Sequence, residues 1–362
     1  MPDTEITLQP ITIVVIVLLL SCVGCLLTSL VLRYFRLKRE QRARDVDAIW
    51  RPYCFAAMVN DMPEQLPALN PADARIVTDI WLDCVERIRG FESTHGLGVL
   101  AMRLRLHEHL LPQLRSGKTD LKLQALLALG AMKDTRALPL ALSMLDNDYP
   151  LMSLAAARAL VEIDPHNGVG MVLDRLDNPG WPALRIGQLL KLAPAKLLHA
   201  EFAKALETWP ASRLGKLLEI LHALAESEFH QVARHVMKRF PDDTRLLAII
   251  LQLDDDPDLH ALAVRMSQHE NATLRRNALA ALGRVGTSRD QALLVSALDC
   301  DDWQQQQTAA RALAQLPGLQ RDAALALLPG LTHESARQHW REALFLRGWL
   351  HYSESITDGT LS

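Results

Sequence analysis

Pairs of Ala, Leu or Ile spaced by four residues recur along this chain at a step of 30 or 31 residues. Ala125/Leu129, Ala156/Leu160, Ile186/Leu190, Leu217/Leu221, Leu247/Leu251, Ala278/Leu282 and Ala309/Leu313 form one series. A second series trails it by about 17 residues: Leu142/Leu145, Leu173/Leu176, Ala203/Leu206, Val295/Leu298 and Leu325/Leu328. Spacings of three and four place both members of a pair on one helix face. Each period therefore reads as two amphipathic helices joined by a short break, such as Met132-Lys133-Asp134 or Val285-Gly286-Thr287. One such hairpin cannot bury its apolar face alone, whereas stacked neighbours make a continuous core. The expected fold is all-α: an α-solenoid of about seven two-helix repeats. Composition agrees, since apolar residues make up 49% of the chain and aromatics only 5%, as in stacks built from small side chains.

Aromatic-proline pairs mark the joins between periods: Tyr149-Pro150, Trp181-Pro182, Trp209-Pro210 and Phe240-Pro241. Proline is tolerated in the first turn of a helix, where its missing N–H would be unpaired anyway, and an apolar residue just ahead can staple onto that turn. The pair thus reads as a helix-start device copied with the repeat. The alternative is an aromatic edge of Tyr149, Trp181, Trp209 and Trp303 that grips a partner, which makes Trp181 and Trp209 candidate contact residues.

Residues 11–32 (ITIVVIVLLLSCVGCLLTSLVL) carry no charge. At 1.5 Å per residue such a run spans roughly 33 Å, enough for a bilayer core of about 30 Å. The start, MPDTEITLQP, has no Lys or Arg, which speaks against a cleaved signal peptide. Leu19-Leu20-Ser21-Cys22 resembles a lipobox only loosely, because the apolar run continues past Cys22. Six positive charges follow the run, at Arg33, Arg36, Lys38, Arg39, Arg42 and Arg44. Positive flanks stay cytoplasmic, so residues 1–10 are expected outside the inner membrane and everything after Leu32 in the cytoplasm. Cys22 and Cys25 form a CxxC, read here as two small residues of a membrane helix because no second pair completes a metal site. With five cysteines, an odd number, the chain shows no disulfide framework.

Between the span and the repeats, residues 33–71 read as a basic juxtamembrane segment and linker. It holds a short helix at Val46–Met58 and then Pro63, Pro67 and Pro71. Residues 72–117 read as an N-terminal helical cap, with one helix from Ala72 to a stop at Gly90 and another from Leu97 to Leu114. The repeats occupy 118–352 and end in a helix from His333 to Tyr352; residues 353–362 read as a disordered tail.

Arg275-Arg-Asn-Ala-Leu-Ala-Ala-Leu-Gly283 and Gln306-Gln-Thr-Ala-Ala-Arg-Ala-Leu-Ala314 resemble first helices of HEAT-like repeats, the variety also found in phycobilisome lyases. Leu121-Lys-Leu-Gln-Ala-Leu-Leu-Ala-Leu-Gly130 and Leu154-Ala-Ala-Ala-Arg-Ala-Leu-Val161 fit the same pattern. The resemblance covers residues 120–331. Units between Gly180 and Glu270 depart from it, with bulkier residues at the Ala positions. It implies an architecture and no particular chemistry. Deoxyhypusine hydroxylase, similar in fold, binds iron through His-Glu pairs on first helices. The matching positions here are Leu123-Gln124, Leu154-Ala155, Arg276-Asn277 and Gln307-Thr308, none of which can replace such ligands. The His-Glu dipeptides at 107, 269 and 333 fall elsewhere, on a second helix or at turns. P-loop, GxSxG, HExxH and Rossmann glycine patterns are absent from the sequence. No metal, cofactor or catalytic residue is therefore assigned.

The chain carries a net charge of −3, and residues 50–362 carry −4, because the first 49 hold six positive and five negative charges. That balance disfavours nucleic acid as a partner. In HEAT-like stacks the second helices line the concave side, which here presents Arg175, Lys204, His235 and Arg265 with Met144 and Met266 nearby. Such a stripe suits an acidic, partly apolar protein segment; the plainer alternative is a solvated face of mixed charge. The expected function is a membrane-anchored cytoplasmic scaffold for a protein partner. The resemblance offers envelope or exopolysaccharide assembly as one setting. The alternative is a HEAT-like enzyme of the bilin lyase or metal-dependent hydroxylase kind.

Overall fold

A computed structural model describes the backbone of residues 4–87, 91–224 and 226–350, and the side chains of 18–87, 95–224 and 229–350. The expected stop at Gly90 and the tail at 353–362 lie outside the described residues, as do residues 1–3, whereas the last helix, expected over His333–Tyr352, runs from Glu334 only to Leu346, with Gly348 left-handed (φ 74°) just beyond. Among the described residues the protein is all-helical, with 19 α-helices and no strand. It divides into two compact units between Asp164 and Pro165, inside the repeat region rather than at the expected border near residue 117.

The first unit contains α1 (Thr4–Met58), α2 (Ala74–Arg87), α3 (Phe91–Arg103), α4 (Leu106–Ser116), α5 (Thr119–Ala131), α6 (Leu138–Met144) and α7 (Pro150–Ile163). The 55 residues of α1 form one uninterrupted helix, where the sequence predicted a tail at 1–10, a span at 11–32, a basic segment and a separate helix from Val46. Residues 33–45 hold neither Gly nor Pro and consist mostly of strong helix formers, so nothing stops propagation. Arg36 to Glu40 and Gln41 to Asp45, each bonded at 3.0 Å one turn apart, brace that stretch. The linker is thus confined to 59–73. It begins where Asn60 turns left-handed (φ 55°), and its carbonyls at Pro63 and Glu64 accept from the Arg103 guanidinium.

The apolar part of α1 has a mean hydropathy of 1.9 and is long enough to cross a membrane; from Leu18 to Leu37 its large side chains are exposed. Further along, Val46, Trp50, Cys54 and Ala57 are buried, because there the helix packs on α2 and α3. Arg51 bonds Asp83 of α2 at 3.0 Å, and Trp81 donates its indole N–H to the Leu97 carbonyl at 2.9 Å. The cap therefore includes the end of α1. The single helix expected over Leu97–Leu114 is two, broken at Arg105 (φ 53°). The break turns Leu97, Leu100 and Leu104 on one side, and Leu106, Leu110 and Leu114 on the other, all into the core. Burying six leucines outweighs one strained residue.

The second unit contains α8 (Pro165–Leu173), α9 (Ala183–Leu190), α10 (Ala195–Thr208), α11 (Ala211–Leu224), α12 (Glu226–Arg239), α13 (Thr244–Leu253), α14 (His260–Met266), α15 (Ala272–Val285), α16 (Gln291–Leu298), α17 (Trp303–Gln315), α18 (Arg321–Ala326) and α19 (Glu334–Leu346). The odd-numbered helices carry the first series of pairs, and each packs on the next, from α9 through α11, α13, α15 and α17 to α19. In the first unit α5 packs on α7 in the same way. Every member of the first series is buried except Leu221, which is half-buried.

The second series has its period right and its register wrong in places. Ala203 is exposed and Leu206 half-buried, while α10 buries Leu198, Phe202 and Ala205. Leu142 is exposed beside buried Ala141 and Leu145. Val295, Leu325 and Leu328 are half-buried, beside buried Leu294, Leu298 and Ala324. In α6, α16 and α18, of seven, eight and six residues, one or two contacts decide which face turns inward; α10, with 14, is shifted by one residue along its whole buried stripe. Three of the four prolines sit at helix starts as expected: Pro150 opens α7, and Pro182 and Pro210 immediately precede α9 and α11; Pro241 instead lies in a turn, and α13 starts three residues later behind Asp243, whose side chain caps it. Arginine side chains tie helices far apart in sequence, with the guanidinium of Arg284 reaching the Leu251 carbonyl at 2.6 Å and that of Arg213 the Leu173 carbonyl at 3.1 Å.

Candidate functional site

Lys204, His235 and Arg265 lie exposed on α10, α12 and α14, while Arg175 lies in the turn after α8. Arg175 is half-buried and donates to the Met171 carbonyl at 3.3 Å, so it anchors its own turn. The row is not purely basic. The His235 Nε2 stands 3.4 Å from the Glu207 carboxylate, and exposed Asp174 sits 3.7 Å from Arg213. What remains is a face of mixed charge on which Lys204 and Arg265 are the accessible cations of the expected four.

The aromatic edge is corrected more sharply. Trp181 is only 1% exposed and cannot meet a partner, because it is packed into the protein ahead of α9. Trp209 is half-buried beneath the Arg213 guanidinium, 4.1 Å from its ring centre. Tyr149 and Trp303 remain exposed, so these aromatics do not form a continuous ladder. Of the three His-Glu dipeptides, His107 is on α4, His269 in a turn and His333 at the cap position of α19.

Sequence reasoning missed a histidine–aspartate cluster between α12 and α13. His230, on α12, contacts the Asp254 carboxylate through Nδ1, and its Nε2 lies 3.9 Å from the Asp255 carboxylate. Asp254 is 1% exposed; its Oδ1 also accepts from the Asp256 N–H at 3.1 Å, whereas its buried Oδ2 has no hydrogen-bond donor. The hydrogen bond to Asp254 raises the His230 pKa above its ordinary value. Arg284 of α15 donates to the backbone carbonyls of Leu251, Gln252 and Asp254, which fixes the segment bearing both carboxylates. Burial lowers the Arg284 pKa. Arg234 pairs with Asp258 at 3.1 Å and stands 3.7 Å from Asp256. A concavity lined by His222, Phe229, His230, Gln252, Asp255 and Arg284 opens beside the cluster. The one sequence signal was the acidic run Asp254-Asp255-Asp256-Pro257-Asp258, which reads as a turn unless His230, 24 residues earlier, is known to face it.

Among the described residues the protein is all-helical, with one helix long and apolar enough to cross a membrane. No family model and no curated protein matches the chain.

Proposed function

We propose that this protein is a membrane-anchored, non-enzymatic scaffold. In this reading α1 crosses the inner membrane once with its N-terminus outside. The repeats form a HEAT-like α-solenoid in the cytoplasm, and the second-helix face receives an acidic, partly apolar protein segment. The observation that carries the reading is the exposed apolar stretch of α1 running without a break into the residues that pack on α2 and α3. An apolar surface of that extent is costly in water and favourable in lipid. A body fused to it by continuous helix is held near the membrane surface. The row of first helices from α9 to α19 supports the repeat architecture, since it leaves the second helices to form a face of their own.

Two measurements test this. A reporter active only outside the cytoplasm, fused after Ser362, stays silent if the topology is right; activity there overturns it. For the partner face, site-directed crosslinking of the full chain in its own membranes compares wild type with Lys204→Glu/Arg265→Glu. Both positions are exposed, so their reversal costs within about 0.5 kcal/mol of stability. The reading expects capture to fall about tenfold. It also expects capture to fade with salt, since the Debye length shrinks from about 10 Å at 0.1 M to about 3 Å at 1 M. Unchanged capture makes the row a solvated face.

A further inference from the structure

We propose that His230 and Asp255 bind a first-row divalent transition-metal ion of the zinc(II) class, with Asp254 positioning the histidine. The His230 ring is held from one side. Its Nδ1 faces a carboxylate that is nearly fully buried, and an imidazole so placed gives Nδ1 the proton and leaves the Nε2 lone pair outward. Metal-binding histidines are held in this way, through a carboxylate on the far nitrogen that sets the tautomer and raises the ligand's basicity. On the outward side the Nε2 lies 3.9 Å from the Asp255 carboxylate. Two ligands each about 2.0–2.1 Å from a tetrahedral ion stand about 3.3 Å apart, so Asp255 has to swing by roughly half an ångström. It is 73% exposed and free of packing that would resist. The adjoining concavity leaves the remaining coordination positions open to water.

Charge points the same way. Asp254, Asp255, Asp256 and Asp258 face two guanidiniums, Arg234 and Arg284, which leaves the neighbourhood net negative. The Asp254 Oδ2, buried and without a donor, is the costly part of that excess. A divalent ion bound at the His230 Nε2 adds positive charge on the far side of the ring that faces this carboxylate. An imidazole nitrogen beside carboxylate oxygen selects borderline ions such as zinc(II) or cobalt(II) over calcium or magnesium, which prefer all-oxygen shells. The pairing of His230 with Asp254 and Asp255 depends on α12 folding back on α13, so no local spacing announces it.

The test uses the untagged full chain in detergent, stripped with a chelator and titrated with cobalt(II), then with zinc(II) as competitor. One equivalent of cobalt(II) is expected to give a ligand-field absorption band that zinc(II) abolishes. His230→Ala and Asp255→Asn should each remove the band. Asp255 is exposed, so the second variant keeps its fold and a loss there is not unfolding. Asp254→Asn, which preserves shape but not charge, should weaken the affinity about 10–100-fold without removing the band. Absence of a band in the wild type, or a band unchanged in Asp255→Asn, overturns the site and leaves His230–Asp254 as an ion pair between α12 and the end of α13.

Discussion

Two stretches of the second unit repeat the same helix pairing and pack it differently. Between α15 and α17 the first helices meet backbone to backbone. A Cβ placed on Gly283 would lie 2.7 Å from the Ala312 Cα, and buried Ala278, Ala281, Ala309 and Ala312 surround the contact. From α9 to α13 they meet through branched side chains: Ile186, Leu190, Leu214, Leu217, Leu218, Leu247 and Ile250 are buried, and a Cβ on Gly187 would meet Leu224 side-chain atoms at 3.4 Å and 3.5 Å and the Ile220 carbonyl oxygen at 3.9 Å, all ordinary contact distances. The bulkier residues between Gly180 and Glu270 therefore keep the register and change the filling. A period fixes which face turns inward, whereas residue size fixes how closely two faces come.

The comparison breaks most readily at its tryptophans. Trp340 is fully buried in α19 and donates to the Ala324 carbonyl at 3.0 Å, so Trp340→Ala should cost about 3–5 kcal/mol in denaturant unfolding. Trp209→Ala in the middle stretch, where the ring is half-buried under Arg213, should cost about 1 kcal/mol or less. Equal losses would mean that the half-buried Trp209 ring contributes as much packing as the fully buried Trp340.

The glycines sharpen it further. Gly283→Ala forces backbone apart and should destabilise by about 1–3 kcal/mol. Gly187→Ala has room and gains helix propensity, so it should be neutral or stabilise by up to about 1 kcal/mol. A matched pair of melting curves checks both; a destabilised Gly187→Ala would show the middle helices to be as tightly apposed as the last ones.

The smallest effect concerns the start of α19. Asp299 holds the entry to that helix, accepting from the Thr332 N–H at 2.9 Å and the His333 N–H at 3.0 Å. Asp299→Ala should cost about 1 kcal/mol, as loss of a cap does. The His333 N–H, then those of Thr332, hold the Asp299 carboxyl below the usual carboxylate range. A depressed pKa stabilises above the unfolded value and loses that contribution as pH falls through the folded one. The variant should therefore differ from wild type at neutral pH, lose that difference as pH falls below the ordinary carboxylate range, and converge only once pH is below the depressed folded value, where Asp299 is protonated in both states. A difference that persists there would mean that Asp299 acts through packing.

Much of this could be read along the chain. The apolar span, the helical class and the inward face of the first helices follow from local pattern, and the first-series pairs are buried at every position but Leu221. Face is a local property, because 3.6 residues per turn map sequence onto direction whatever the neighbour is. The continuity of α1 was legible too, in the absence of any Gly or Pro from 33 to 45, had composition been weighed above charge. Other features belong to the tertiary structure alone. The left-handed break at Arg105, the inward turn of Trp181, the register of α10 and the meeting of His230 with Asp254 each depend on what a second element presents from dozens of residues away. Sequence periodicity carries no distance between helices. Packing decides it, since a buried side chain settles where neighbouring atoms leave room and a buried charge settles where a partner can reach it.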